Sequence, residues 1–144
     1  MSGHSIPVRV YYEDTDAGGV VFYANYLSFL ERCRTEWLRH LGFDQRLLAQ
    51  DPGVLFVVAR VEIDYKSPAR FDDLLTVTAT IAERSRATLT FAQQVLRGAE
   101  LVVEARVRVA CVDTVSFKPI ALPAAIADAL IASAPPSSSS GAQR

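Results

Sequence analysis

A chain of 144 residues, half of them apolar and 22% charged, can close one hydrophobic core without cross-links and has the balance of an ordinary globular domain. Fifteen basic against sixteen acidic side chains leave a formal charge of −1, which argues against nucleic acid or an anionic membrane as the main partner, since both call for a basic excess. Two cysteines, Cys33 and Cys111, are too few and too scattered for a disulfide framework or a CxxC metal site.

The opening MSGHSIPVRVYY lacks the charged-then-apolar pattern of an export signal. Apolar runs such as Val54 to Ala59 are far too short to span a bilayer, so no transmembrane segment is expected. A cytoplasmic protein with reduced thiols is the natural expectation.

Ile6 to Tyr12 is β-branched and aromatic enough for a first strand. Tyr11 to Phe22 is acidic, then glycine-rich, then apolar, which suits a strand end and a tight loop. From Tyr23 to Leu41 the spacing becomes helical: Tyr26, Phe29, Leu30, Cys33, Trp37 and Leu41 share one stripe, and Gly42 supplies a stop. The segment Asp44–Gln50 adds a further helical turn before Pro52–Gly53 breaks it.

The period then changes from helical to alternating. In LFVVARVEIDY the alternation puts Leu55, Val57, Ala59, Val61, Ile63 and Tyr65 on one face. The sets Leu75–Ile81, Ala87–Phe91 and Leu101–Cys111 repeat the pattern, with turns at Phe71–Asp73, Arg84–Ser85 and Arg97–Glu100. Connections this short join neighbouring antiparallel strands, so these four strands are expected to form a meander. Its apolar face needs a cover, and the long helix has the stripe to provide it. The expected class is α+β, an antiparallel sheet wrapped around one long helix. Pro123 to Ala132 is expected to form a short last helix. One domain over residues 1–134 is expected, followed by a disordered Pro/Ser-rich tail at 135–144.

The chemistry-bearing residues cluster where the loop meets the helix. Asp16 precedes Ala17–Gly18–Gly19, whose glycines permit positive φ and close approach of a ligand. A helix start offers unpaired N–H groups and the positive end of a dipole, so it can hold an oxyanion beside a carboxylate base or nucleophile. Spacing alone leaves open the plainer role, in which Asp16 caps a turn and the glycines only bend the chain. Glu13, Asp14 and Asp16 can also be read as a cation site, although they lack a calcium loop's ligand spacing.

Other chemistries lack their parts. There is no GxSxG, no zinc signature and no phosphate loop. His4 lies in a flexible end and His40 in the last helical turn, where a dipole contact explains it. Cys33 and Cys111 sit on apolar faces and read as inert core. Arg84 and Arg86 flank a strand turn and can hold phosphates, or be solvated surface. Lys66 and Arg70, in KSPAR, are weaker candidates of that kind.

The block VRVYYEDTDAGGVVFYANYLSFLERCRTEWL resembles the signature of the 4-hydroxybenzoyl-CoA thioesterase family of hotdog-fold proteins, nearest to its YbgC-type, Tol–Pal-associated branch. The likeness continues through DYKSPARFDD and ACVDTVSFKPIALP and so covers most of the chain. It implies a hotdog fold, paired into dimers that often assemble into tetramers, with the pocket at the subunit interface. It implies hydrolysis of an acyl-CoA thioester without metal or bound cofactor. The family's catalytic carboxylate falls on Asp16, and its oxyanion-holding backbone N–H on Tyr23. Tyr12 matches a site-lining tyrosine, Gly18 and Gly19 give clearance for the acyl sulfur, and Arg84 and Arg86 lie where coenzyme A phosphates are commonly held. One departure is plain: the branch usually reads VVYHA(S/N)Y, and here Tyr23 stands in place of the histidine, as in the WYPNY of the hydroxybenzoyl-CoA branch. A backbone N–H survives that change and imidazole chemistry does not. The altered residue motivates an alternative, a non-catalytic module of the same fold that binds acyl-CoA or an acyl carrier protein. A hydratase is the third reading, weakened because neither histidine is placed to pair with Asp16.

Overall fold

The computed structural model describes residues 3–133; the expected tail at 135–144 lies outside them. The helical stripe forms α1, Asn25–His40, which buries Tyr26, Phe29, Leu30, Cys33, Trp37 and Leu38. Its C-terminus is closed by Gly42 at φ +94°, a left-handed position that favours glycine, and by a Phe43 N–H bond back to the Leu38 carbonyl. The helix starts two residues later than its apolar pattern, because Asn25 N–H bonds the Phe22 carbonyl and Leu27 N–H the Ala24 carbonyl. Tyr23 therefore stands just upstream of the first turn.

Five antiparallel strands wrap this helix: β1 (His4–Arg9), β2 (Val54–Tyr65), β3 (Leu74–Arg84), β4 (Thr88–Arg97) and β5 (Glu100–Asp113). Their order is β1-β3-β4-β5-β2, which is the α+β hotdog architecture. Only β3-β4-β5 is a meander. The expectation that β2 continues it into β3 is wrong: β2 pairs with β5 at the opposite edge. The link 66–73 makes this possible by crossing the end of the sheet, held by Lys66 and Ser67 N–H bonds to the Val102 carbonyl and by the buried Ala69.

The strict alternation expected in β2 is also broken. Register shifts between Val58 and Arg60, so Ala59 is an extra residue. Before it, Phe56 and Val58 oppose the inward Cys111 and Val109; after it, Val61, Ile63 and Tyr65 oppose Val107, Ala105 and Val103. One bulge thus exchanges the two faces partway along the strand, putting Leu55 and Val57 on the outer side. His4, expected in a flexible end, opens β1 opposite Ala79, and its ring lies 5.3 Å from that of His40.

Two short helices complete the layer. In α2 (Gln45–Gln50) the Asp44 side chain caps the start by accepting from Arg46 N–H. In α3 (Ala124–Ala132) Ile126, Ala127 and Leu130 are buried, so α1 is not the sole cover of the sheet. No helix among the described residues is long and apolar enough to cross a membrane.

Candidate active site

The acidic loop forms before the helix by doubling back on itself. Tyr12–Asp14 make a 3-10 turn, Thr15 pairs with Val21, Asp16 N–H bonds the Val20 carbonyl, and Phe22 N–H bonds the Asp14 carbonyl at 2.8 Å. This small hairpin carries the chain straight into α1, so the carboxylates and the helix start share one end of the molecule. The hairpin is anchored to the sheet by Val21 N–H on the Ala69 carbonyl and by the Val20–Arg70 bridge.

Asp16 is exposed, and its Oδ1 accepts the Gly18 N–H at 2.8 Å. A Cβ on Gly18 would meet that same oxygen at 3.2 Å, so the missing side chain lets the carboxylate lie against the loop. Gly19 takes φ +80° to close the turn. Among the described residues the second Asp16 oxygen has no hydrogen-bond partner, and neither Tyr23 nor Ala24 N–H has an acceptor. No acidic residue occupies the first turn of α1, so its positive end is left to other anions. A loop carboxylate and open helix-start donors can serve a reaction in which a carbonyl becomes an oxyanion.

Tyr23 is 64% exposed. Its carbonyl accepts the Tyr65 hydroxyl at 3.1 Å, and the two rings meet edge to face at 6.4 Å. Tyr12 is exposed at the same end, stacked on Phe71 with centroids 3.8 Å apart. Arg84 and Arg86 are not brought to Asp16 within one chain. They lie at the other end of β3, ten residue steps and so about 33 Å of strand from Leu74. There Arg84 reaches Asp128 of α3 at 3.6 Å. Lys66 and Arg70 stay near the hairpin, on the link 66–73.

The cation reading of the acidic cluster fails on its partners. Asp14 is 6% exposed, with one oxygen accepting Tyr11 N–H at 2.9 Å and the other the Asn25 side-chain amide at 3.0 Å. Among the described residues no three His, Cys, Asp or Glu side chains gather to hold a metal. Burial pushes the Cys33 thiol up to about 12 and raises Cys111 as well, so both are poor nucleophiles.

Three contributors escape a reading of the sequence. Asp14 and Asn25 tie loop to helix, and only their shared place in the block hints at it. Tyr65 looks like one more inward residue of an alternating strand. Its hydroxyl is the unused signal, because a phenol at a strand end seeks an acceptor.

A family model described as the thioesterase superfamily matches residues 18–104, more than half of the chain. The chain belongs to the thioesterase superfamily. It is 50% identical over 122 residues to the acyl-CoA thioesterase YbgC of Haemophilus influenzae, covering 85% of this chain and 90% of that one. It is 48% identical over 121 residues to the acyl-CoA thioester hydrolase YbgC of Escherichia coli O6:H1, covering 83% and 90%. Its fold is similar to the crystal structure of a probable thioesterase from Bartonella henselae, with TM-score 0.81 and 40% identity over 85% of this chain and all of that one. The architecture and the enzyme class implied by the EDTDAGGVV block are therefore correct, and this thioesterase is a thioester hydrolase.

Proposed function

We propose that this thioesterase hydrolyses acyl-CoA to a free acid and coenzyme A, with Asp16 as its working carboxylate. The observation that carries the reading is the loop carboxylate, one oxygen fixed by Gly18 N–H and the other open, leading directly into a helix start with open donors. Asp16 takes a proton from water as the water oxygen bonds the carbonyl carbon, or attacks that carbon itself to give an anhydride that water then opens. The oxyanion is stabilised by the Tyr23 N–H and the helix dipole. The C–S bond then breaks and the thiolate leaves, taking up a proton. The relatives named for acyl-CoA hydrolysis support the substrate class.

On this reading the site is completed by a second copy. The twelve-residue strand β2 lies at the sheet edge and exposes Val58, Val61 and Tyr65. Such an edge is a template for antiparallel pairing about a twofold axis. Pairing through it puts the Val54 end of one copy beside the Tyr65 end of the other. The Arg84–Arg86 corner of one copy is then carried to the same end as Asp16 of its mate, where the arginines can meet coenzyme A phosphates. Such chemistry belongs in the cytoplasm, where thiols stay reduced.

The test is steady-state hydrolysis of an acyl-CoA panel by wild type and Asp16→Asn. Loss of about 10²- to 10⁴-fold in kcat is expected in a folded variant. An undiminished rate removes Asp16 from the mechanism, and tight binding without turnover by wild type returns the chain to the non-catalytic alternative.

A further inference from the structure

A cavity of about 140 Å3 lies toward the far end of α1 from Asp16, between that helix, the sheet and α3. Leu38, Phe56, Leu89, Phe91 and Leu130 give it apolar walls, and Arg34 sets a single cation among them. Arg34 Nη1 donates to Oε1 of the buried Gln93 at 2.9 Å, and its Cζ lies 5.9 Å from the Phe91 ring centroid. A guanidinium has five N–H donors. Among the described residues Arg34 makes no other hydrogen bond and no ion pair. Glu31 also borders the cavity: one of its oxygens accepts the Thr35 hydroxyl, and the other has no partner among the described residues. Its charge favours the charged form of Arg34 without an ion pair between them.

A mostly apolar chamber whose wall holds a guanidinium using one of its five donors is unfinished as protein packing. A planar fork of donors matches an oxygen acceptor, a carboxylate best of all. Apolar cavities of about 150 Å3 hold a benzene-sized guest, so the chamber suits a chain of about four to six carbons.

Pairing β2 with a second copy about its midpoint sets Phe56 and Val58 of one chain beside Ile63 and Val61 of the other. These lie next to Tyr65, whose hydroxyl holds the Tyr23 carbonyl. The chamber of one copy then adjoins the Asp16 hairpin of its mate. Resting on the thioesterase reading above, we propose that this cavity is the acyl compartment for the opposite copy's site and that Arg34 selects short acyl groups whose far end carries an oxygen acceptor. Arg34 is a specificity residue in this role; bond breaking stays with Asp16.

The experiment compares kcat/KM for CoA thioesters of equal chain length ending in methyl, hydroxyl or carboxylate. Wild type is expected to favour an oxygen-ended chain over the methyl-ended one by about ten- to hundredfold, the worth of one charge-assisted hydrogen bond. The hydroxyl and carboxylate arms tell which acceptor it takes. In Arg34→Met the preference is expected to collapse toward one. Should that variant fail to fold because Gln93 loses its donor, Arg34→Lys keeps a donor for Gln93 without the fork, and its preference is expected to drop several-fold. Turnover without end-group preference, or the same preference in both variants, overturns the selection and leaves the thioesterase reading standing. Absence of turnover for every member overturns both.

Discussion

The side-chain amide of Asn25, the first residue of α1, donates at 3.0 Å to the buried carboxylate of Asp14, two residues before Asp16. The same carboxylate accepts Tyr11 N–H, and the Asp14 carbonyl accepts Phe22 N–H. One residue therefore fixes both ends of the hairpin to the start of the helix. Asn25→Ala leaves a buried carboxylate oxygen unmet, which costs about 1–3 kcal/mol. Thermal denaturation is expected to show that loss, and kcat is expected to fall while KM changes little, since Asn25 acts by holding Asp14 and through it the loop. An unchanged kcat alongside a lowered Tm would make Asn25 purely structural.

Tyr65 grips the same junction from the sheet. Its hydroxyl holds the Tyr23 carbonyl, and its ring lies 5.7 Å from that of Tyr26, whose own hydroxyl accepts Ala69 N–H. Tyr65→Phe keeps the ring packing and removes one hydrogen bond. A stability loss of about 0.5–1.5 kcal/mol is expected in urea denaturation. A several-fold drop in kcat is expected with it if Tyr23 N–H is the oxyanion donor as proposed, because the Tyr23–Ala24 peptide directly after that donor is freed to turn. A full rate in Tyr65→Phe would show that α1 alone holds Tyr23 in place.

How much of this could be read from the sequence follows from the range of each signal. The stripe Tyr26–Phe29–Leu30–Cys33–Trp37 records burial within one helix, so α1 was legible apart from its start, which N–H bonds to the Phe22 and Ala24 carbonyls decide. The turn through Asp16, Gly18 and Gly19 was legible because loop geometry is local. The placement of β2 was not, because the length of the link 66–73 does not say which edge of the sheet it reaches. The bulge at Ala59 was hidden too: Val57, Val58 and Val61 are equally apolar, so the face exchange leaves no mark in hydropathy. Tyr65 and Asn25 act through contacts dozens of residues apart or across a hairpin, which no period reports.

Asp73 gives the protein an acid limb. Burial pushes its carboxyl up, but the Arg70 N–H at 2.8 Å and the Arg97 guanidinium at 2.6 Å outweigh that and leave it below the ordinary aspartate value. Its contribution is thus complete above the unfolded aspartate pKa and is lost as pH falls through the lower folded value. Equilibrium unfolding of wild type and Asp73→Asn across that window isolates this residue from other depressed carboxylates such as Asp113. The difference in stability is expected to be largest near neutrality and to shrink toward zero in acid. A difference independent of pH would assign the effect of Asp73 to packing.

Thiol reactivity offers a check on the core. Cys33 is fully buried, its Sγ 3.3 Å from the Val77 carbonyl, and burial holds its pKa at about 12. Cys111 is fully buried as well. At pH 8 neither is expected to react with iodoacetamide in the native protein, whereas both react in denaturant. Mass spectrometry reads the outcome directly. Fast native labelling of Cys33 would mean that α1 lifts from the sheet on the labelling timescale.

The two-copy reading makes the sharpest demand on β2. Val61 points to the inner side of an edge strand and is 37% exposed on the single chain. In a lone chain Val61→Lys costs little, because the long side chain can carry its ammonium to water. Across a paired β2 edge the same lysine faces Val58 of the other copy, so its ammonium is held against an apolar residue in a partly dry interface. Sedimentation is therefore expected to show a dimer in wild type and a monomer in the variant. Hydrolysis is expected to fall with the loss of dimer, although Asp16, Gly18 and Tyr23 are untouched. Raising the protein concentration should then recover activity in step with reassociation. A monomeric variant that retains the full wild-type rate would mean that one chain holds a complete site, and both Arg84–Arg86 and the Arg34 cavity would have to be assigned without a second copy.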